Sequence, residues 1–422
     1  MTTLTDPPKE QFRLSMLLYD TRYRSATIQV IAMIGFMLLA AWLISNTAQN
    51  LAALGKPIDF GFFSEPASYD INQRLLDYSS RDTHLRAALI GLLNTLVVAV
   101  LGCITATVLG VIIGVLRLSN NWIVARLMTI YVEGFRNVPV LLWIVFIMAI
   151  LIETLPAPKA FRGDNATASM MLGDSVAVTN RGVYVPEPLF SNSLGNIHLF
   201  GESSLRFDIS LDLLAILVVL GAGLWVSNFL RKRADRIQEQ TGDRPVTWWQ
   251  RLAVVVLPTG LVLVLLGFHL GYPELKGFNF QGGTHLRNSL IALWLALSLY
   301  TAAFIAEIVR AGIMAISKGQ TEAASALGLR SNKIMSLVIL PQALRVIIPP
   351  LISNYLNLTK NSSLAIAVGY MDITGTLGGI TMNQTGRELE TILLLMLVYL
   401  TISLSISAVM NWYNESVKLK ER

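Results

Sequence analysis

Eight long apolar segments separated by polar connections dominate the pattern of hydrophobic and polar positions along the chain. Each comes close to the roughly 20 residues that an α-helix needs to cross a hydrocarbon core of about 30 Å. The pattern therefore predicts an all-α membrane protein with about eight transmembrane helices. The predicted spans cover residues 28–45, 88–116, 139–155, 211–230, 252–270, 287–310, 342–360 and 390–411.

Two of these segments have features that bear on packing. Glycines recur through the second span, and such small positions let helices approach closely in lipid. Residues 342–374 are too long for one straight span, and Pro349, Pro350 and Gly369 are expected to interrupt them. We expect a crossing helix to about residue 360, followed by a short helix at membrane depth. The glycines in the second span are Gly91, Gly102, Gly110 and Gly114.

The polar connections include one segment with a strand-like pattern. Residues 178–190 lie in a long outer connection and alternate enough to predict a small hairpin. Residues 117–137, between the second and third spans, carry several charges and are interpreted as a connection. The first apolar segment is interpreted as a span rather than a signal peptide, because it is long and no small-residue cleavage site follows it.

Composition excludes a soluble enzyme as the starting point. The chain is 53% hydrophobic and 14% charged, with mean hydropathy +0.56, whereas soluble domains have roughly 25% charged residues. The net charge of +6 does not indicate a nucleic-acid partner, because the basic residues are confined to short segments between spans. Cys103 is the only cysteine, so no disulfide forms within the chain.

The distribution of Lys and Arg predicts the orientation in the membrane. With the amino terminus inside, the inner segments hold 20 of these residues and the outer segments hold 10. Cytoplasmic loops carry the excess of basic residues in membrane proteins. We therefore expect both termini, and the connection between the sixth and seventh spans, to lie in the cytoplasm.

That connection carries the most informative local pattern in the chain. Thr321 can cap a short helix whose first turn holds Glu322, where a carboxylate is favourable. Gly328 suits the left-handed residue that ends this helix, Ser331 can cap the next helix, and Pro341 opens the following span. The prediction is a helix, a turn and a second helix between two spans.

The spacing of residues in this connection resembles the cytoplasmic "EAA" loop of binding-protein-dependent ABC importer permeases. The resemblance rests on Glu322-Ala323-Ala324, Gly328 and Leu340-Pro341, with Val338 where the family usually has isoleucine. It implies that the loop couples the membrane subunit to a partner ATPase. The implied coupling residues are Glu322, Ala323, Ala324, Gly328, Leu340 and Pro341.

The flanking segments are similar to the polar amino-acid branch of these permeases. They are residues 300–310, 360–364 and 131–139, and the resemblance covers residues 85–155 and 285–415. The long chain with its large inserts looks most like one of the two permease subunits of a general L-amino-acid ABC transporter. The resemblance implies a five-helix MetI-like core formed by spans 2, 3, 6, 7 and 8, with spans 1, 4 and 5 as additions.

The predicted organisation has five parts. Residues 1–87 form an amino-terminal tail, the first span and a periplasmic insert, and residues 88–155 form the first part of the core. Residues 156–286 are an insert with a periplasmic loop and two extra spans. Residues 287–415 form the second part of the core, with the coupling loop at 319–341, and residues 416–422 are a cytoplasmic tail.

The resemblance implies a permease that moves L-amino acids across the bacterial inner membrane. It implies a homologous permease subunit in a heterodimer, two cytoplasmic ABC ATPase subunits that hold ATP and Mg, and a periplasmic amino-acid-binding protein. No G-x-x-x-x-G-K-[ST] pattern occurs in the chain, so we expect no ATPase site and no cofactor in it. Its four histidines have no metal-ligand spacing.

Two other classes remain open. An ion-coupled secondary amino-acid transporter is the main alternative, although we find no internal repeat of the kind common in that class. A membrane assembly subunit that transports nothing is the second. The polar stretch from Asn354 to Ser363 argues against it, because polar groups at membrane depth are costly. Lys360 can also extend to an interface or pair with a carboxylate instead of meeting substrate.

A substrate path for a zwitterion needs a cation or N–H group for the carboxylate and an acceptor for the ammonium. Asn354, Asn357 and Asn361 recur at i, i+3 and i+7 on one helical face, and Lys360 lies where that helix is expected to end. The predicted path residues are Asn357, Lys360, Asn361, Ser363 and Asp372, with Lys360 the candidate for the carboxylate.

One further pair of charges lies inside a predicted span. Glu307 and Arg310 are three positions apart, at i and i+3, so they are neighbours on a helix near the cytoplasmic end of the sixth span. We interpret them as a structural ion pair.

Overall fold

The computed structural model describes residues 16–163, 166–201 and 203–417. The chain divides into two compact units, Met1–Phe60 and Gly61–Arg422. The described helices of the first unit are α1 (Met16–Tyr19) and α2 (Thr21–Ala53), and α2 is long and apolar enough to cross a membrane.

The second unit contains the remaining helices. Over the described residues of both units, eight helices are long and apolar enough to span a membrane, which confirms the predicted all-α membrane protein. The helices of the second unit are α3 (His84–Leu116), α4 (Trp122–Asn137), α5 (Val140–Thr154), α6 (Leu211–Thr241), α7 (Trp248–Leu265), α8 (Asn288–Met314), α9 (Lys318–Ala326), α10 (Ser331–Ile334), α11 (Leu340–Asn361), α12 (Met382–Thr385) and α13 (Glu388–Val417).

Helix α8 lies at the centre of this unit, where it packs against α3, α4, α5 and α11. The predicted role of the α3 glycines is confirmed. A Cβ atom placed on Gly110 would lie 2.6 Å from Ile305 Cβ, and one on Gly114 would lie 2.7 Å from the Ala306 carbonyl oxygen. The backbones of α3 and α8 therefore approach closely at these glycines. Close approach of this kind allows the van der Waals packing that holds helices together in lipid.

We expect Gly110→Val to destabilise the α3–α8 contact. The added side chain has no space beside Ile305, and overpacking of this kind costs about 1–3 kcal/mol or more. Gly221→Val is the matched control, because Gly221 lies in the spanning helix α6 and a Cβ atom added there would have no other atom within 4 Å. Thermal unfolding in detergent should show a lower Tm for the first variant only. Equal Tm values would contradict close packing at Gly110.

The segment between the second and third spans is a helix, which differs from the predicted connection. Asn121 caps α4, its Oδ1 accepting hydrogen bonds from the backbone N–H groups of Ile123 (3.0 Å) and Val124 (3.3 Å). Val132 is buried on the inner face of α4, in a cluster with Ala303 and Ala306 of α8. The charges that suggested a loop lie on an amphipathic helix instead.

The chain between α10 and α13 contains irregular helical turns. Pro349 and Pro350 lie inside α11 without ending it, so the expected interruption there is wrong. Burial of Ile347, Ile348 and Ile352 holds α11 in place although each proline removes a backbone donor. After Asn361 the chain continues as a 3₁₀ helix, Ser362–Val368, which confirms a crossing helix that ends near residue 360.

Gly369, with φ +69°, ends that 3₁₀ helix in the left-handed conformation. A π-helical segment, Thr374–Thr381, follows and leads into α12. Another π-helical segment, Met335–Ile339, joins α10 to α11. These turns place non-standard backbone on both sides of α11.

The connections between α5 and α6 and between α7 and α8 contain short antiparallel strands. The predicted hairpin is confirmed by β1 and β2, with Val178 opposite Val183, and β9 pairs with the other edge of β2. The last strand of the predicted segment, β3, pairs with β6 instead. The strands are β1 (Ala177–Thr179), β2 (Gly182–Val185), β3 (Glu187–Phe190), β4 (Asn196–Leu199), β5 (Phe207–Ser210), β6 (Phe268–Gly271), β7 (Glu274–Lys276), β8 (Asn279–Gln281) and β9 (Thr284–Arg287).

Residues 61–83 pack against the first turns of α3. Tyr69 and Ile71 are buried in a cluster with Ala87 and Ile90 of α3. The Gln73 carbonyl accepts a hydrogen bond of 2.7 Å from Asn94 Nδ2. This insert is therefore an ordered part of the second unit.

Candidate functional site

The loop between α8 and α11 forms the predicted helix, turn and helix. Ser317 occupies the N-cap position of α9 and the helix begins at Lys318, so the expected cap at Thr321 is wrong. Arg330, not Ser331, precedes α10. The helix starts a turn earlier than predicted, and it includes Gly319 despite the low helix propensity of glycine.

Gly328 ends α9 in the left-handed conformation that the sequence predicts, with φ +76°. Its N–H donates to the Ser325 carbonyl at 2.9 Å, and the Leu329 N–H donates to the Ala324 carbonyl at 3.3 Å. These two bonds form a Schellman motif, which satisfies carbonyl groups at the end of the helix. A side chain at this position would be strained, although the surrounding space is open.

The loop presents most of its predicted coupling residues on one exposed surface. Glu322, Ala323 and Gly328 are exposed, whereas Ala324 is buried. Leu340 and Pro341 lie at the start of α11, where Leu340 is 42% exposed and Pro341 is half-buried. We use the name coupling surface for the exposed residues Glu322, Ala323, Leu327 and Gly328.

Leu327 was not singled out from the sequence. Its side chain is 81% exposed at the end of α9, next to Gly328. The available signal was its position immediately before the glycine that ends the helix. An exposed apolar side chain beside small residues suits a helix end that inserts into a groove of another protein.

The predicted ion pair is part of a larger charged cluster. Glu307 Oε1 lies 2.6 Å from Arg310 Nη2, which confirms the pair. Glu307 Oε2 also accepts from Arg117 at the end of α3 and lies 3.9 Å from Arg136 Nη1 in the last turn of α4. One carboxylate therefore joins the ends of α3 and α4 to α8, two helical turns before the coupling loop.

The end of α11 exposes part of the predicted path. Asn357 and Lys360 are exposed, and Asn361 and Ser363 are half-buried. The Ser363 hydroxyl donates to the Lys360 carbonyl at 2.8 Å, which fixes the turn after α11. In the lone subunit this surface is polar although it belongs to a membrane-spanning helix.

Asp372 lies inside the subunit and not on the exposed surface of Asn357 and Lys360. Its Oδ1 accepts from the Gly375 N–H at 2.8 Å, and its Oδ2 accepts from the Tyr399 hydroxyl at 3.2 Å. The carboxylate thus caps the π-helical segment and ties it to α13. Asp372 is fully buried, whereas Asn357 and Lys360 are exposed.

The histidines have separate local partners. His84 Nδ1 lies 3.0 Å from Thr381 Oγ1, and His285 stacks on Tyr184 at 4.1 Å between ring centroids. Burial lowers the pKa of His285. The hydrogen bond between His198 and Asp208, at 2.5 Å, lowers the pKa of Asp208. Across the described residues no group of His, Cys, Asp or Glu is arranged to hold a metal ion.

Over the described residues, eight helices long and apolar enough to span a membrane, a largely buried central helix and an exposed helical loop after it describe a multi-pass membrane protein. The chain belongs to the family described as "Binding-protein-dependent transport system inner membrane component", whose model matches residues 106–419. The resemblance seen in the loop sequence is thereby confirmed, and the protein is a membrane permease subunit of that transporter class.

Three relatives extend the similarity over nearly the whole chain. The chain is 59% identical over 430 residues to the glutamate/glutamine/aspartate/asparagine transport system permease protein BztB of Rhodobacter capsulatus, with 100% of both chains covered. It is 41% identical to the general L-amino acid transport system permease protein AapQ of Rhizobium johnstonii, covering 97% of this chain and 96% of the relative. It is 42% identical to the putative amino-acid ABC transporter permease protein YhdX of Escherichia coli, covering 94% and 95%.

Proposed function

We propose that this subunit moves L-amino acids across the bacterial inner membrane, driven by ATP hydrolysis in a partner ATPase. The observation that carries the proposal is the coupling surface, which is exposed at the end of the central helix α8. In this scheme, a movement of the partner ATPase at the coupling surface is passed to the spans through α8, which precedes the loop. The names of the three relatives support amino acids as the substrate class.

The substrate path is proposed to follow the exposed surface of α11. Lys360 would receive the substrate carboxylate, and Asn357 and Asn361 offer both donors and acceptors to a zwitterion. Ser363 would border the path at the turn. Asp372 holds the π-helical segment in place in this scheme, because its carboxylate already accepts hydrogen bonds from the Gly375 N–H and the Tyr399 hydroxyl.

The same surface supports a second permease subunit as partner. An exposed lysine in a spanning helix costs about 2.5–3.5 kcal/mol at the centre of a bilayer. Asn357 beside Lys360 adds to this cost if lipid covers the surface. A homologous subunit facing α11 removes the cost by enclosing a polar path between the two chains. A heterodimer is the proposed arrangement, with two ATPase subunits and a periplasmic binding protein completing the transporter.

The proposed topology places both termini and the coupling loop in the cytoplasm. The excess of Lys and Arg, 20 against 10, supports this orientation. It puts residues 61–83 and the short strands on the periplasmic side, where a binding protein would deliver substrate. ATP and Mg would then be held by the ATPase subunits on the opposite side.

A reconstitution experiment separates this proposal from ion-coupled transport. In liposomes, the isolated subunit should carry no amino acid in response to a proton or sodium gradient, because the driving conformational change belongs to the partner. Uptake should require the second permease, the ATPase, the binding protein and ATP. Gradient-driven uptake by the isolated chain would replace the proposal with a secondary transporter. Absence of uptake in the full complex would favour a subunit that only assembles.

A further inference from the structure

The two helices of the extra hairpin, α6 and α7, differ greatly in length. Helix α6 has 31 residues and α7 has 18. Arg251 Nε lies 3.4 Å from Ser227 Oγ, so the first turn of α7 is level with the middle of α6. The last ten or so residues of α6 therefore project about 15 Å beyond the start of α7. We call residues 231–241 the α6 extension.

The α6 extension is strongly basic on its exposed surface. Lys232, Arg233 and Arg236 are exposed, and in the part of the chain that the structure describes they have no ion-pair partner. Asp235 is paired with Arg244 of the returning connection at 2.7 Å. The ion pair neutralises one of the nearby carboxylates and leaves four exposed cations in the α6 extension, Arg231, Lys232, Arg233 and Arg236.

These cations continue an exposed aromatic stripe along α6. Trp225, Phe229, Lys232 and Arg236 follow one another at i, i+4, i+7 and i+11, so they lie on the same helical face. Trp225 is 73% exposed, and its ring stacks with that of Phe229 at 6.4 Å between centroids. A large apolar surface thus ends one turn before a group of cations.

The position of this change from apolar to basic matches a membrane boundary. The apolar part of α6, residues 211–230, has about the 30 Å length of a hydrocarbon core. Trp248 and Trp249 are exposed at the start of α7, close to the same level. Exposed tryptophans are typical of the interface between hydrocarbon and water. The cations then lie at the depth of lipid headgroups.

We propose that this face of α6 binds an anionic phospholipid. Its phosphate would contact Lys232, Arg233 and Arg236, and an acyl chain would lie along Trp225 and Phe229. An acidic protein surface accounts for the cations but not for the aromatic stripe that leads to them within the hydrocarbon. A soluble phosphate likewise has no use for that stripe. The extra hairpin would thus anchor the subunit to the acidic lipid of the membrane.

The test compares lipid binding by the wild-type chain and a triple variant, Lys232→Gln with Arg233→Gln and Arg236→Gln. Each protein is purified at full length with its co-purifying subunits and titrated with phosphatidylglycerol or phosphatidylcholine, and bound lipid is measured by native mass spectrometry. Removing three cations near an acidic surface should weaken phosphatidylglycerol binding about a hundredfold. Phosphatidylcholine binding should change little.

Two further variants keep the result specific. Arg74→Gln with Arg81→Gln and Lys276→Gln changes the net charge equally at exposed positions outside the hairpin and should preserve phosphatidylglycerol binding. Trp225→Ala with Phe229→Ala should weaken binding of phosphatidylglycerol while binding of inorganic phosphate stays unchanged. The proposal is overturned if the K232Q, R233Q, R236Q variant retains wild-type phosphatidylglycerol binding. It is also overturned if that variant loses the ATPase from the complex with lipid binding intact, because the cations would then meet a protein.

Discussion

Gly328→Val should abolish most transport and most ATP hydrolysis stimulated by the binding protein, while the subunit still inserts into the membrane. Gly328 has φ +76°, where a residue with a Cβ atom loses roughly 1–2 kcal/mol. A β-branched side chain adds crowding at the same position. To escape this strain the end of α9 must change its path, which moves Leu327 and Glu322 away from their places on the coupling surface. Co-purification of the ATPase with the variant measures whether the coupling surface still binds the ATPase.

Gly319→Val is the matched control for this experiment. Gly319 lies in the same loop and is also exposed, but its φ is not in the left-handed region and the nearest atom to an added Cβ is 4.0 Å away. Gly328→Asn provides a second comparison, because asparagine tolerates the left-handed conformation better than valine. The expected order of activity is Gly319→Val, then Gly328→Asn, then Gly328→Val. Normal ATPase binding and stimulated hydrolysis in Gly328→Val would remove the coupling role.

The features that sequence predicted correctly depend on local patterns. The length and apolar character of the spans are properties of short windows, and they need no knowledge of the neighbours. The left-handed residue at Gly328 follows from the absence of a side chain. Gly110 and Gly114 indicated close packing because glycine in a membrane helix is most useful at an interface. The identity of the facing helix, α8, required the structure.

Local patterns also misled the interpretation of residues 117–137. The charges there suggested a connection, yet Met128, Tyr131, Val132 and Phe135 form a spaced apolar face that packs beside α8. Asn121 before this face was an available helix-start signal. The charges lie on the remaining faces of α4, so charge content was a poorer guide than apolar spacing.

The remaining site features depend on distant parts of the chain. Arg117 and Glu307 are separated by 190 positions, and no local pattern relates them. The sequence supplied only the Arg310 partner, which is one helical turn away. The prediction of Asp372 as a path residue rests on its position twelve residues beyond Lys360, where related permeases tend to carry an acidic residue. Its burial against Tyr399 depends on how α13 packs, which no motif records.

Lys360→Met is expected to reduce amino-acid uptake by roughly ten- to a hundredfold in the assembled transporter. Lys360 is exposed at the end of α11 and is the cation of the proposed path. A charge-assisted contact with the substrate carboxylate is worth about 1.5–3 kcal/mol, and each 1.4 kcal/mol is a factor of ten. Methionine keeps most of the side-chain length and volume, so the packing of α11 should persist. Uptake is measured together with ATP hydrolysis stimulated by the binding protein.

The ratio of these two activities separates a substrate contact from a structural role. Loss of a substrate contact should reduce uptake much more than stimulated ATP hydrolysis, because the coupling surface is unchanged. Lys360→Arg keeps the positive charge and should restore part of the uptake. Lys276→Met changes an exposed lysine that is paired with Glu274 at 2.9 Å in a hairpin, and it should leave both activities unaffected. Wild-type uptake by Lys360→Met would remove this lysine from the path, whereas an equal fall in both activities would assign it to the structure of α11.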